Sequence, residues 1–215
     1  RAADLCRFSD GDRVVDLGCG LGATVGFLHH RRMNASGLDC SASMLAEARS
    51  RNPSARFVRA EAERLPFRAE SLDGIFCECV FSLLRNPTRA LGEIHRVLVD
   101  GGRWVLSDLY LRPRDKPPAV GCAPSWGCPA GARFRDRLDR MLQDAGFSIL
   151  AWEDHTDRLK HLAAELVFAG IPLAESFACP PPVPTGRTRQ ALPQHARPAQ
   201  PGFALWILQK EYGRG

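Results

Sequence analysis

Apolar and polar positions alternate between strand-like and helix-like periods over the first 150 residues. "RVVDLG" is a short apolar run suited to a buried strand, and "ATVGFLHHR" behind it has a helical pattern. "ASGLDC" predicts a second strand. "SASMLAEARS" predicts a helix with Ser41 as its N-cap. "ARFVRA" and "SLDGIFCEC" predict strands three and four. In "NPTRALGEIHRVLVDGG", Leu91, Ile94, Val97 and Leu98 recur at helical spacing; Pro87 suits the first turn and Gly101–Gly102 the stop. "RWVLSDLYL" predicts strand five. A helix over 132–145 carries Phe134, Leu138, Met141, Leu142 and Ala145 on one face and closes at Gly146. "FSILAWE" predicts strand six, Leu159 to Val167 another helix, and "FALWILQ" the last strand.

Strands alternating with helices imply a parallel sheet covered on both faces. Two segments break the rhythm. Residues 112–131 are rich in Pro, Gly and Cys and are expected to form a substrate-side loop. Residues 180–201 hold seven Pro and are expected to form a flexible surface loop. The expected organisation is one domain over 1–215.

Gly18, Gly20 and Gly22 lie between the first strand and its helix, where a glycine lets a ligand approach the main chain. Open parallel sheets bind ligands beyond the carboxyl ends of their strands. Asp39 ends the second strand, 19 residues after Gly20, a spacing that suits a carboxylate accepting ribose hydroxyls. A tight structural turn, with Asp39 as a helix cap, is the plainer alternative.

The 215 residues suffice for one sizeable core, and 45% hydrophobic with 25% charged residues is ordinary for a globular protein. The net charge of +5 is dispersed, so no basic patch points to nucleic acid. No apolar run reaches bilayer length and no leader pattern opens the chain, so the expectation is a cytoplasmic protein, monomer or homodimer, with no membrane or nucleic-acid partner. The eight cysteines then read as thiols rather than as a disulfide framework.

Beyond the glycine loop, "VVDLGCGLG", "GLDCSASMLAEAR", "AEAERLPF", "SLDGIFCECV" and "ALGEIHRVLVDGGRWVLSD" resemble, in order, the successive motifs of class I S-adenosylmethionine-dependent methyltransferases. The nearest group is the one that includes the ubiquinone and menaquinone biosynthesis methyltransferases. The resemblance covers about residues 10–110 and fades to general topology after 112. It implies an α/β, Rossmann-like three-layer sandwich with a seven-stranded, mostly parallel sheet whose last strand is antiparallel. It also implies S-adenosyl-L-methionine as methyl donor, with S-adenosyl-L-homocysteine as product, and roles for particular residues. Gly18, Cys19, Gly20 and Gly22 would wrap the methionine part, with Asp16 behind them. Asp39 would hold the ribose, and Cys40 and Met44 would border the adenine. Glu61 and the Ala62 amide would meet the adenine polar edge, and Cys77 would sit beside the sulfonium. Glu61 and Ala60 depart from the family's more usual Asp and Gly.

A nucleophile must be aligned with the activated methyl group, and an oxygen or nitrogen acceptor also needs a base. Candidates at the tips of strands four and five are Glu78, Cys79, Asp108 and Tyr110, with His155 after strand six. Alternate strand residues share a face, so Cys77 and Cys79, with Cys122 and Cys128 from the 112–131 loop, could converge near the methyl group. Packing, a thiol-held metal or metalloid, and a redox pair all fit such thiols. Arsenite methyltransferases, which share the cofactor fold and use several cysteines, offer an analogy. The expected function is therefore methyl transfer to a small-molecule acceptor, with Glu78, Cys79, Cys122 and Cys128 as candidate catalytic groups. A thiol-assisted metalloid methyltransferase or metal-binding module, and an NAD-dependent oxidoreductase, are the alternatives.

Overall fold

The short apolar strands pair side by side because each has a buried face to cover, and the glycine-rich turns let the chain cross back as helices. The computed structural model describes residues 1–112, 131–170 and 200–213. In chain order the elements are α1 (Ala2–Cys6), β1 (Arg13–Leu17), α2 (Ala23–His30), β2 (Asn34–Asp39), α3 (Ala42–Arg51), β3 (Arg56–Arg59) and β4 (Leu72–Glu78). A short 3-10 turn (Phe81–Leu83) leads to α4 (Pro87–Val97), β5 (Leu98–Arg112) and β6 (Arg133–Phe134). Then come α5 (Arg135–Asp144), β7 (Phe147–Asp154), α6 (Thr156–Phe168) and β8 (Gln200–Lys210).

The sheet order is β3-β2-β1-β4-β5-β8-β7. The first five strands pair in parallel, while β8 runs antiparallel to both β5 and β7, as the resemblance implied. The two-residue β6, pairing with β5 outside this path, makes an eighth strand. Ser41 Oγ accepts the Met44 amide at the start of α3, as expected, and Asn86 Oδ1 accepts the Arg89 amide at the start of α4, whereas α2, α5 and α6 start without a side-chain cap bond, and the helix expected over 132–145 begins only at Arg135, with Phe134 in β6. On α4, Ala90, Leu91, Ile94 and Val97 are buried, the stripe that the apolar spacing predicts.

Two apolar cores lie on opposite faces of the sheet. One joins α4 and α5 to Ile75, Cys77, Trp104, Leu106 and Trp206. The other joins α1, α2 and α3 to Val14, Phe76, Val105 and Leu205. Neighbouring residues of β4 thus alternate between layers, which is the period of a strand covered on both sides.

The glycine pair at 101–102 is a correction. α4 ends at Val97, and Leu98 is already extended and paired with Leu72. The glycines fall inside β5 at a register shift between Leu72 and Gly74, where Gly101 takes φ +73 and the Tyr212 ring lies against it. They kink a strand instead of stopping a helix. Most of both expected loops, residues 113–130 and 171–199, lies outside the described residues. No helix among the described residues is long and apolar enough to cross a membrane.

Candidate functional site

β1 and β2 end side by side, and the loop after β1 folds over the end of β2. The Gly18 and Cys19 amides both donate to the Leu38 carbonyl, at 2.7 and 3.0 Å. Asp39 closes the corner: one carboxylate oxygen accepts the Gly20 amide at 3.0 Å and the other accepts the Ser41 amide at 2.8 Å. Asp39 therefore caps the turn into α3, the plainer of the two expectations for it, in a position at the loop's rim.

Two glycines of the loop differ in what surrounds them. Gly18 (φ +75) is pressed by Val80, whose Cγ2 would lie 2.2 Å from an added Cβ. Gly20 (φ +49) has nothing within 4 Å of that position. The Gly20 side of the loop is open, so no protein atom there requires a glycine.

Asp16 lies behind this loop, 3% exposed, and among the described residues no hydrogen bond reaches its carboxyl group. Burial, followed by the negative charges of Glu78 and Asp39, pushes its pKa up to about 7. A buried carboxyl without a donor is costly unless something cationic or hydrogen-bonding completes it. Asp16, Asp39 and Glu78 together make the crevice anionic. Glu78 ends β4, is exposed, and accepts the Thr24 hydroxyl at 2.7 Å. That contact joins the start of α2 to the tip of β4.

Met44 is largely exposed in the first turn of α3, and Cys40 is exposed at the tip of β2, where its carbonyl accepts Arg59 Nε at 3.0 Å. At the end of β3 the Ala60 amide donates to the Asp39 carbonyl at 3.1 Å, which sets Glu61 beside the same corner. Glu61 is exposed and bridges to Arg64, while Ala62 is buried. All of these stand on the rim where the resemblance places an adenosyl group.

The thiols require correction. Cys77 is wholly buried in the core under α4, and burial raises its pKa well above the ordinary value. Cys19 is packed against Gly37 and Phe57, and burial pushes it to about 12. Near the crevice these two residues present main chain, not sulfur. The strand ends at Glu78, and Cys79 leaves it with φ +57, exposed. The alternation that would put Cys77 and Cys79 on one face is broken there. Cys122 and Cys128 lie outside the described residues. Among the described residues no disulfide joins two cysteines, and no group of three or more metal-binding side chains gathers.

Of the other candidates, Asp108 is buried and binds the Ser82 amide and hydroxyl and the Leu109 amide, each at 2.7 Å. Burial raises its pKa against these donors. Its work is to hold the 3-10 turn after β4, and so the position of Val80 against Gly18. Tyr110 donates to Asp154 at 3.0 Å, and His155 Nε2 lies 3.1 Å from Glu153. The Thr24–Glu78 and Ser82–Asp108 pairs join residues 54 and 26 positions apart, and no local pattern in the sequence announces them.

Residues present fit an adenosyl sulfonium ligand. The open Gly20 flank offers space, Asp39 offers a carboxylate beside it, and donor-free Asp16 with Glu78 favours positive charge. The same charge opposes a pyrophosphate, which the dinucleotide alternative would require.

Comparison with known proteins agrees with this geometry. Residues 15–106 match the family model described as "Methyltransferase domain". The chain is 32% identical over 148 residues to the arsenite methyltransferase of Halobacterium salinarum, covering 64% of this chain and 37% of that protein. It is 30% identical over 149 residues to an uncharacterized methyltransferase of Synechocystis, covering 66% and 69%. Four curated relatives, two demethylmenaquinone methyltransferases among them, are spanned by the chain over 30% to 54% of their lengths. Geranyl diphosphate C-methyltransferase from Streptomyces coelicolor, solved with S-adenosyl-L-homocysteine, shares the fold with a TM-score of 0.69 at 16% identity, over 97% of this chain and 76% of that one.

Proposed function

The chain belongs to the class I S-adenosylmethionine-dependent methyltransferases, and from that premise we propose that it transfers a methyl group to a small-molecule acceptor at the carboxyl edge of β4 and β5. The observation that carries this is Asp16: a buried carboxyl that no donor reaches among the described residues, one strand from Glu78 and behind an open glycine loop.

When bound, S-adenosylmethionine supplies a sulfonium-activated methyl carbon, which forms its new bond to the acceptor as the methyl–sulfur electron pair stays on sulfur. The chain's own residues do the rest. The Gly18–Gly22 backbone cradles the methionine part, and Asp39 accepts the ribose hydroxyls while its other bonds hold Gly20 and Ser41 in place. Asp16 faces the ammonium end. Cys40, Met44, Glu61 and the Ala62 amide form the adenine rim, and Cys77 contributes main chain beside the sulfonium. Glu78, exposed at the strand tip, takes the proton that an acceptor hydroxyl releases. With the methyl donor already activated, alignment supplies most of the acceleration.

The arsenite relative brings a thiol-dependent reading into view. Cys19 and Cys77 are too buried to serve it, which leaves Cys40 and Cys79 among the described cysteines at this edge. The experiment is calorimetric titration of the protein with S-adenosylhomocysteine and, separately, with NAD. The thioether is expected to bind and NAD not. Asp39→Ala is expected to weaken the thioether by about 1–3 kcal/mol, the loss of charge-assisted hydrogen bonds. Binding of NAD alone, or an unchanged affinity in Asp39→Ala, refutes the assignment.

A further inference from the structure

A cavity of about 530 Å³ lies between α1, α2 and α6, next to the crevice and on the sheet face opposite α4. Its size suits a small molecule. Its walls are sorted by chemistry. Phe27, Phe76, Phe203 and Leu205 give it an apolar, mostly aromatic body. Glu78 stands at the end that adjoins the crevice, since its charge acts directly on Asp16. Arg158, in the first turn of α6, also lines the cavity.

The charges lining the cavity are separated rather than paired with one another. The Arg1 guanidinium and His155 both bind Glu153, so those three satisfy one another. Glu78 accepts Thr24. Arg158 is exposed, and among the described residues no carboxylate pairs with it and none accepts a hydrogen bond from its guanidinium. An exposed cation thus lines an aromatic cavity that also carries the Glu78 carboxylate.

Resting on the reading given under Proposed function, we infer that this cavity is the acceptor pocket, and that it takes a flat, apolar, typically aromatic molecule with a carboxylate or similar anionic group at one end and the nucleophile at the other. The anionic group meets Arg158, the ring lies among the phenylalanines, and the nucleophile points at Glu78. Guanidinium recognition of a carboxylate is directional, so Arg158 would set both selectivity and the orientation of the acceptor.

The test uses the protein saturated with S-adenosylhomocysteine and two probes of one shape, 4-hydroxyphenylacetate and 4-hydroxyphenylacetamide, titrated by calorimetry. The acid is expected to bind at least tenfold more tightly than the amide. Arg158→Gln should bring the two within about twofold while leaving the amide and the thioether unchanged. Phe27→Ser, at a half-exposed position that the fold tolerates, should weaken both probes alike. Equal affinity of acid and amide in the wild type, or absence of binding by both, overturns the inference. So does displacement of the thioether by the acid, which would give the cavity to the methionine tail instead. Failure of the wild type to bind the thioether at all shows in the first titration, before any probe is added; it refutes the function proposed above and this pocket with it.

Discussion

Replacing Asp16 by Asn tests the crevice through stability, without any assay of catalysis. In the unfolded chain Asp16 ionises above its ordinary pKa of 3.8, whereas in the folded protein it keeps its proton to about 7. Between those values unfolding releases a proton, so stability falls as pH rises and levels off above about 7. Ionised in its buried site, the group opposes folding by about 4 kcal/mol, from roughly 1.4 kcal/mol per pKa unit. Integrated from pH 5 to pH 8, the loss is about 2–3 kcal/mol. Asn at the same place carries no titrating proton, and it also removes a charge that repels Asp39 and Glu78. Urea unfolding of both proteins at pH 5, 6, 7 and 8 should therefore show Asp16→Asn gaining on the wild type by that amount as pH rises. With the thioether bound, the order reverses. The ligand's ammonium favours ionised Asp16, so wild-type affinity should rise about tenfold between pH 6 and pH 8 as the carboxylate fraction grows from about a tenth to nine tenths. Asp16→Asn should bind more weakly and without that slope. Parallel stability curves for the two proteins would refute the buried, donor-free carboxyl.

Two further substitutions probe how the crevice is held open. Gly18→Ala puts a methyl group 2.2 Å from Val80 Cγ2 at φ +75; it should lower the urea midpoint, and Val80→Ala in the same chain should restore the steric part, leaving about 1–2 kcal/mol of backbone cost. No recovery in the double variant would mean that the contact with Val80 is not what requires glycine. Ser82→Ala leaves a buried Asp108 oxygen without its hydroxyl donor and should cost about 1–3 kcal/mol in urea unfolding; a change under about half of that lower bound would show that the turn is held by the amide bonds alone.

What was legible in the sequence depended on local rules. The strand–helix alternation, the Ser41 cap and the α4 stripe all follow from neighbours within about twenty positions, and the structure reproduces each of them; it also brings Gly20 and Asp39 into hydrogen-bond contact. The glycines at 101–102 misled because a Gly pair after a helical run has two outcomes, a stop or a strand kink, and only pairing with Leu72 on another strand selects the second. Of the thiols that could converge, Cys77 and Cys79 do not share a face, for a similar reason. Period two holds only while a strand lasts, and β4 ends at Glu78, one residue too soon for Cys79 to follow Cys77.

The chemistry of the site is less local than its backbone. Asp16 is visible in the sequence as an acid before a glycine loop, yet its perturbed pKa comes from burial under two layers and from Glu78 and Asp39, which arrive from β4 and β2. Three carboxyl groups meeting at one sheet edge repel one another once ionised, and in the proposed reading a cationic ligand relieves that repulsion. An anionic dinucleotide would increase it. In the proposed reading that negative charge selects a sulfonium donor, and Arg158, which no carboxylate pairs with among the described residues, reverses the sign toward the acceptor.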